Sequence, residues 1–403
     1  MHSIVGLIKP KSAGIVLLMY VLSGHSSVAS ADPAPTIAEN MLQLTDAAEA
    51  TIQRQATIEV APWISSWLAD APTLSAAFLQ SQTNGGSDEV ELALTLPLKS
   101  PGRARLDDEL INNEQRLRAS LLSYRRWYAS GLVRDIVWTI QTEQTRQAIL
   151  AEQLTVYQRF LTRLKALSSG RGTDVFHQYL YQQAATELEL ERLQSEKQLT
   201  NARQQLQYLT GQRSTPTDVN EAEFSQPDLQ QHPRLHLLMM QEQQLKLQLQ
   251  ASTTANSAWQ LTTRVKRVST PGFDDNQIGA QLDVPLTFGR QTNQLEYNNF
   301  QTDYQQWLNS FSDTQLDIQQ QYQTAQTELN SVKTRLALLK GNEPLRQQAK
   351  AALFMLLERQ EISPDIAQQR LQQLLQAELQ IALLEVQVQQ AITTLNQTAG
   401  VIL

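Results

Sequence analysis

The chain of 403 residues contains no cysteine. Disulfides and Cys-ligated metal sites are therefore excluded, as is a lipid attached to a cysteine at a mature N-terminus. Glycine and proline are scarce, 15 and 14 residues, so few positions break a helix and most of the chain is free to be helical. Basic residues (33) are outnumbered by acidic ones (40), which argues against nucleic acid as a partner. Beyond one N-terminal run, no window approaches the roughly 20 apolar residues of a membrane-spanning helix. There is no nucleophile beside a base, no glycine-rich phosphate loop and no pair of carboxylates in pocket-forming context. Neither an enzyme nor a bound cofactor or metal is expected.

The N-terminal run has the order of a secretory signal. Lys9 and Lys11 precede the apolar stretch 15–22, and Ala29-Ser30-Ala31 follows as a small-residue cleavage site. Residues 1–31 are thus expected to be a signal peptide, with the mature chain starting at Asp32. Its removal would take two lysines and no acid, moving the formal charge from -7 to -9.

What the sequence does have is a repeat. Residues 89–98 (EVELALTLPL), closed by Gly102-Arg103, are echoed by residues 277–286 (QIGAQLDVPL), closed by Gly289-Arg290. The ends of the copies also match: Leu199, Ala202, Leu206 and Gly211 stand at the same offsets as Val388, Ala391, Leu395 and Gly400. Apolar residues three and four apart before a glycine describe one helix ending used twice. A chain built twice is expected, with repeat 1 over 32–211, a linker over 212–230 and repeat 2 over 231–403.

Long helices are predicted over 103–167 and 174–210 in repeat 1, and over 290–360 and 364–399 in repeat 2. Ile318, Tyr322, Ala325, Leu329, Val332, Leu336 and Leu339 alternate steps of four and three, a coiled-coil seam. Leu150, Leu154, Tyr157, Leu161 and Leu164 form a second, and Ile381, Leu384, Val388, Ala391 and Leu395 a third. At 1.5 Å per residue the first long helix would reach roughly 100 Å, far beyond what a globular core needs. The second is interrupted once, at Gly341-Asn342-Glu343-Pro344, where proline should kink or offset it. Each long helix turns back through a short polar connection. Thr173 is the expected N-cap in repeat 1; in repeat 2 it is Ser363, with Pro364 at N1 and Asp365 on the positive end of the helix dipole.

Strands are predicted over 73–82, 89–98, 259–269 and 277–286, paired as two hairpins. Val90, Leu92, Leu94, Leu96 and Leu98 point one way; Glu91, Ala93, Thr95, Pro97 and Lys99 point the other. Such strands suit a membrane barrel, with lipid and lumen faces alternating, and they also suit an ordinary half-buried sheet. Counting separates the two. Four strands cannot close a barrel and have no core of their own to cover them, so several chains must pool their strands. A cyclic trimer would supply twelve.

At this point the residues resemble a known family. Ala71-Pro72-Thr73-Leu74, the paired strands ending at Pro97 and Pro285, the hairpin Gly170-Arg171-Gly172-Thr173-Asp174, the start His232-Pro233-Arg234-Leu235 and the Gly211 and Gly400 stops together are similar to outer-membrane efflux proteins of the TolC type. The likeness covers nearly the whole mature sequence. It implies a mainly α chain with a small β part, assembled as a homotrimer with a twelve-stranded barrel in outer-membrane lipid and a helical tunnel across the periplasm. It also implies two partners, a periplasmic adaptor (membrane fusion) protein and an inner-membrane efflux pump. The chain departs from the pattern in a short segment around Trp63 and Trp67, which suggests an abbreviated first helix, and in a second tip, 357–363, without the usual glycine.

Three chains would arrange each inward-facing acid as a ring, and such rings select cations and narrow an aperture. Asp174, Glu358, Glu361 and Asp365 are the gate candidates; the competing reading is of caps and a solvated helix face. Ser169, Gly170, Arg171, Gly172, Thr173, Arg359, Gln360 and Ser363 are the adaptor-docking candidates, or else ordinary exposed turns. His232 and His236 with Met239 and Met240 invite a soft-metal reading, but Pro233 stands where a helical zinc motif needs an acid, so His232 reads as a helix cap. Arg125-Arg126-Trp127-Tyr128 reads as packing with a snorkelling arginine. Phe300, Tyr304, Trp307 and Phe311 repeat at helical spacing and read as a seam. The rival to a channel is a secreted periplasmic coiled-coil tether, which has no need of an all-apolar strand face. No residue pattern chooses among metal ions, drugs, dyes and organic acids as the exported solute.

Overall fold

The structure is a computed structural model and describes residues 39–54, 65–83, 85–167, 172–213, 215–216, 219–224, 227–254, 258–285 and 294–403. The expected signal peptide, Trp63, the Gly289-Arg290 helix start and residues 168–171 of the first tip lie outside these.

Seven helices and four strands are described: α1 (Glu39–Arg54), β1 (Thr73–Leu79), β2 (Asp88–Leu98), α2 (Pro101–Leu167), α3 (Gly172–Thr210), α4 (Pro233–Thr254), β3 (Trp259–Thr270), β4 (Phe273–Asp283), α5 (Gln294–Gly341), α6 (Glu343–Glu358) and α7 (Pro364–Thr398). The order helix, hairpin, long helix, return helix therefore runs twice. α1, at 16 residues, is shorter than its counterpart α4, at 22.

The 67 residues of α2 are unbroken. Its interior glycine, Gly131, lies where α7 crosses: a Cβ there would come within 2.9 Å of Gln397 Nε2. The second long helix is divided. α5 stops at Gly341 and α6 starts at Glu343, with Asn342 at φ -100°, ψ 5° between them and Pro344 close behind. Arg346 Nη1 reaches back 3.2 Å to the carbonyl of Leu339, serving one of the acceptors that the break frees. The range expected as one helix over 290–360 is thus two, for the reason the proline gave. α3 is helical from Gly172, so Thr173 falls inside the helix instead of capping it. α3 and α7 end on Gly211 (φ +73°) and Gly400 (φ +86°), left-handed stops at equivalent places.

The four strands form one antiparallel sheet in the order β1-β2-β3-β4, and β2 pairs with β3 across the two repeats. The strand ends depart from expectation. β1 closes at Leu79, and β4 occupies 273–283 instead of 277–286. Thr270 pairs with Phe273, leaving Pro271 and Gly272 (φ +102°) as the whole turn. Proline presets the first central φ and glycine takes the positive one, which lets the ladder run to the tip of the hairpin.

The helices bury apolar stripes in three clusters. Met41, Leu44, Val133, Trp138 and Leu206 join α1, α2 and α3. Tyr157, Phe160, Tyr181, Leu357 and Leu371 join α2, α3, α6 and α7 toward the tips. Ala325, Leu329, Ile392 and Leu395 join α5 to α7. All three expected seams contribute buried residues to these clusters or beside them.

Candidate functional site

The sheet has two chemically distinct faces. In the pairing register, one face carries the rows Leu74–Leu94–Thr263–Ala280, Ala76–Leu92–Val265–Ile278 and, on β2 to β4, Leu96–Leu261–Leu282. The other carries Thr73–Thr95–Thr262–Gln281, Ser75–Ala93–Arg264–Gly279 and Ala77–Glu91–Lys266–Gln277. It is the apolar face that is open: Leu92, Val265 and Ile278 are 52%, 54% and 87% exposed, whereas Ala93 on the polar face is 8% exposed. From Thr262 to Ser269 of β3 the half-covered residues are Thr262, Arg264, Lys266 and Val268 and the exposed ones Thr263, Val265, Arg267 and Ser269, whereas nearer the helices Leu261 is half-covered and Gln260 exposed. On β2 and β3 the polar side is the more covered one, while β1 and most of β4 are exposed on both sides. A half-buried sheet of a water-soluble domain does the reverse.

The polar face is stitched by its own groups. Thr95 and Thr262 hydroxyls lie 3.1 Å apart, and Lys266 Nζ is 2.6 Å from Glu89 Oε2. On the other face, at the turn end, Arg267 Nη2 and Ser269 Oγ donate to Asp274. Among the described residues the strands share no extensive packing with any helix, and β1 and β4 each keep one edge without a strand partner.

At the far end, α2 and α3 meet α6 and α7. Phe160 stacks on Tyr181 and packs against Phe354 with ring centroids 3.9 Å apart. Tyr181 Oη donates to the carbonyl of Pro364 at 3.0 Å, fixing the start of α7. Burial raises the phenol pKa of Tyr157 to about 12 and that of Tyr181 further, so both stay protonated donors.

The second tip closes without glycine. Gln360 adopts φ +59°, its N–H donating to Leu357 O (3.1 Å) while that of Glu361 donates to Leu356 O (2.9 Å). This is the Schellman arrangement, and the same pair of bonds closes α7, where Gly400 N–H donates to Gln397 O and Val401 N–H to Asn396 O. Ser363 holds the extended backbone of an N-cap but makes no side-chain cap bond. Its hydroxyl serves Asp365 instead, whose pKa is lowered first by that bond, then by backbone amides and His177. Asp365 therefore stays ionised at the helix start.

The gate candidates do not form one ring within a chain. Glu358 Oε1 lies 3.2 Å from Arg163 Nε, tying α6 to α2, and Glu361 lies 4.0 Å from Arg359. Asp174 and Thr173 belong to α3 by backbone, as does Gly172, while Ser169, Gly170 and Arg171 lie outside the described residues. The histidines are not brought together either. His232 is buried, its Nδ1 accepting from the Arg234 N–H at 3.1 Å as a helix cap, whereas His236 Nδ1 faces Ser120 Oγ at 2.6 Å. No cluster of metal-ligating side chains is assembled among the described residues.

A polar network missing from the sequence reading locks the end of α7. Arg134 donates to both oxygens of Glu221 at 2.8 Å, to Val401 O at 3.0 Å and to Gln397 Oε1. Asn396 donates to Glu221 at 3.1 Å and to Ala222 O at 2.9 Å. Trp127 Nε1 reaches Gln397 O at 2.9 Å. Neither residue type nor spacing distinguishes Arg134 from the other arginines on these helices, because its partners come from distant parts of the chain.

No family model and no curated protein matches the chain. Solved structures do. The open state of the outer-membrane channel MtrE of Neisseria gonorrhoeae superposes with a TM-score of 0.62 at 13% identity, covering 89% of this chain and 88% of that one. A membrane protein from Pseudomonas aeruginosa gives 0.61 at 15%, covering 92% and 98%. The outer-membrane channel CmeC of Campylobacter jejuni gives 0.59 at 11%, covering 89% and 81%. The fold is of the TolC type.

Proposed function

We propose that three copies of this chain form an outer-membrane channel that conducts solutes delivered by an inner-membrane pump through a periplasmic adaptor. The observation that carries the reading is the sheet's inverted exposure, apolar outward and polar inward. Such a face is stable against lipid, and joining β4 of one copy to β1 of the next removes every edge in a twelve-stranded barrel. The helices are arranged for the same closure. They pack in the order α3, α2, α7, α5, and both margins expose apolar residues: Leu190 and Leu193 on α3, Leu316 and Leu338 on α5. Among the described residues no helix is long and apolar enough to cross a membrane. The adaptor is assigned to residues 169–173, Arg359, Gln360 and Ser363, a reading supported at the second tip by the turn at Gln360. The aperture is assigned to Asp174, Glu358, Glu361 and Asp365.

Leu94→Arg tests the reading. Leu94 is central in β2, on the outward face, between Leu74 and Thr263. At the bilayer midplane the substitution should cost about 2 to 4 kcal/mol and deplete the assembled form in envelopes. A periplasmic tether would accept the arginine on an exposed face, so an undiminished yield of assembled protein from the variant would count against the channel.

A further inference from the structure

We propose that Arg264 forms a positively charged ring at mid-height in the channel lumen, a site that favours passage of solutes bearing a carboxylate, sulfate or phosphate group. The inference rests on the barrel proposed above and adds a solute class to it.

Arg264 is the sixth residue of β3, which spans Trp259–Thr270, and it lies on the polar face. A charged side chain at the depth of the bilayer centre is costly against lipid and is expected to face a water-filled cavity with a task there. Its row, Ser75–Ala93–Arg264–Gly279, contains no other charge. The adjacent row toward the helices, Thr73–Thr95–Thr262–Gln281, contains none at all. In the adjacent row toward the hairpin turns, Glu91 and Lys266 stand opposite each other, and Lys266 is also bound to Glu89.

Among the described residues the guanidinium has no carboxylate partner. Its Nη2 donates to the amide oxygen of Gln281, while the amide nitrogen of that glutamine donates to Asp283 at 2.9 and 3.0 Å, so the acid is engaged by Gln281 and not by Arg264. Gly279 makes room for this pose: a Cβ there would stand 3.1 Å from Arg264 Cγ. The side chain is laid across β4, the strand at the subunit joint, with further N–H groups of its planar fork left for a passing oxyanion. Three copies in a cyclic trimer make a ring, and rings of arginine or lysine select anions.

The test is electrical. Wild-type protein, Arg264→Gln and Arg264→Lys are inserted into planar bilayers under a potassium chloride gradient, and sulfate is then added as the probe. Arg264→Gln should move the reversal potential toward the potassium limit and raise the half-blocking sulfate concentration about tenfold, the loss expected for a charge-assisted contact. Arg264→Lys should restore most of both. Conducting Arg264→Gln channels with wild-type selectivity and sulfate block overturn the ring and leave the channel standing. Protein that yields neither a three-chain particle nor any conductance overturns the channel, and the ring with it.

Discussion

Arg134 and Glu221 are each almost wholly buried, with side chains 3% and 1% exposed. A buried pair of this kind adds little net stability over an apolar substitute, but removing one partner strands the other. Arg134→Met should therefore cost about 3 to 5 kcal/mol, seen as a lowered unfolding temperature by circular dichroism, and the double variant with Glu221→Leu should recover most of it. His232 makes a second prediction. Burial, with Arg234 nearby, pushes its pKa from 6.5 down to about 4, Asp317 opposing. The unfolded chain takes up a proton where the folded one does not, so this contribution is complete above about pH 6.5 and is lost as pH falls toward 4. Stability should drop by on the order of 2 kcal/mol across that window, and His232→Asn should flatten the drop. The cap role of His232 was legible in the sequence because Pro233 marks N1. The role of Arg134 was not, since its partners come from the linker and the chain end, 87 and more residues away.

At the scale of elements, the periodic signals were the readable ones. Heptad spacing identified the buried residues of α5 and, in α7, Ile381, Leu384 and Leu395 but not Ala367, Leu371, Leu375 or Ile392, and a glycine stop identified the ends of α3 and α7. Turn chemistry was read less well. Pro271-Gly272 is a complete two-residue turn, so Phe273 to Asn276 join β4 where a longer loop was expected. The second tip lacks a glycine, yet Gln360 takes the left-handed conformation that glycine would hold. That conformation costs a non-glycine residue roughly 1 kcal/mol, so Gln360→Gly should leave the hairpin equally or more stable by up to about that amount, measured by hydrogen exchange at Glu361. A loss of protection there would mean that the glutamine side chain itself holds the turn.

For the whole molecule, alternation along the strands was visible in the sequence, but the side left uncovered was not, because both a soluble sheet and a barrel strand alternate. The structure exposes Leu92, Val265 and Ile278 and covers Ala93, which is the observation the proposed barrel rests on. In the proposed channel, further copies of the chain cover the strand edges and helix margins. The most direct measurement is the mass of the particle extracted from bacterial envelopes, corrected for bound detergent. Three chains per particle, released only when detergent is present, is the predicted result. A monomer or dimer released without detergent would contradict the shared barrel and return the chain to the role of a periplasmic tether.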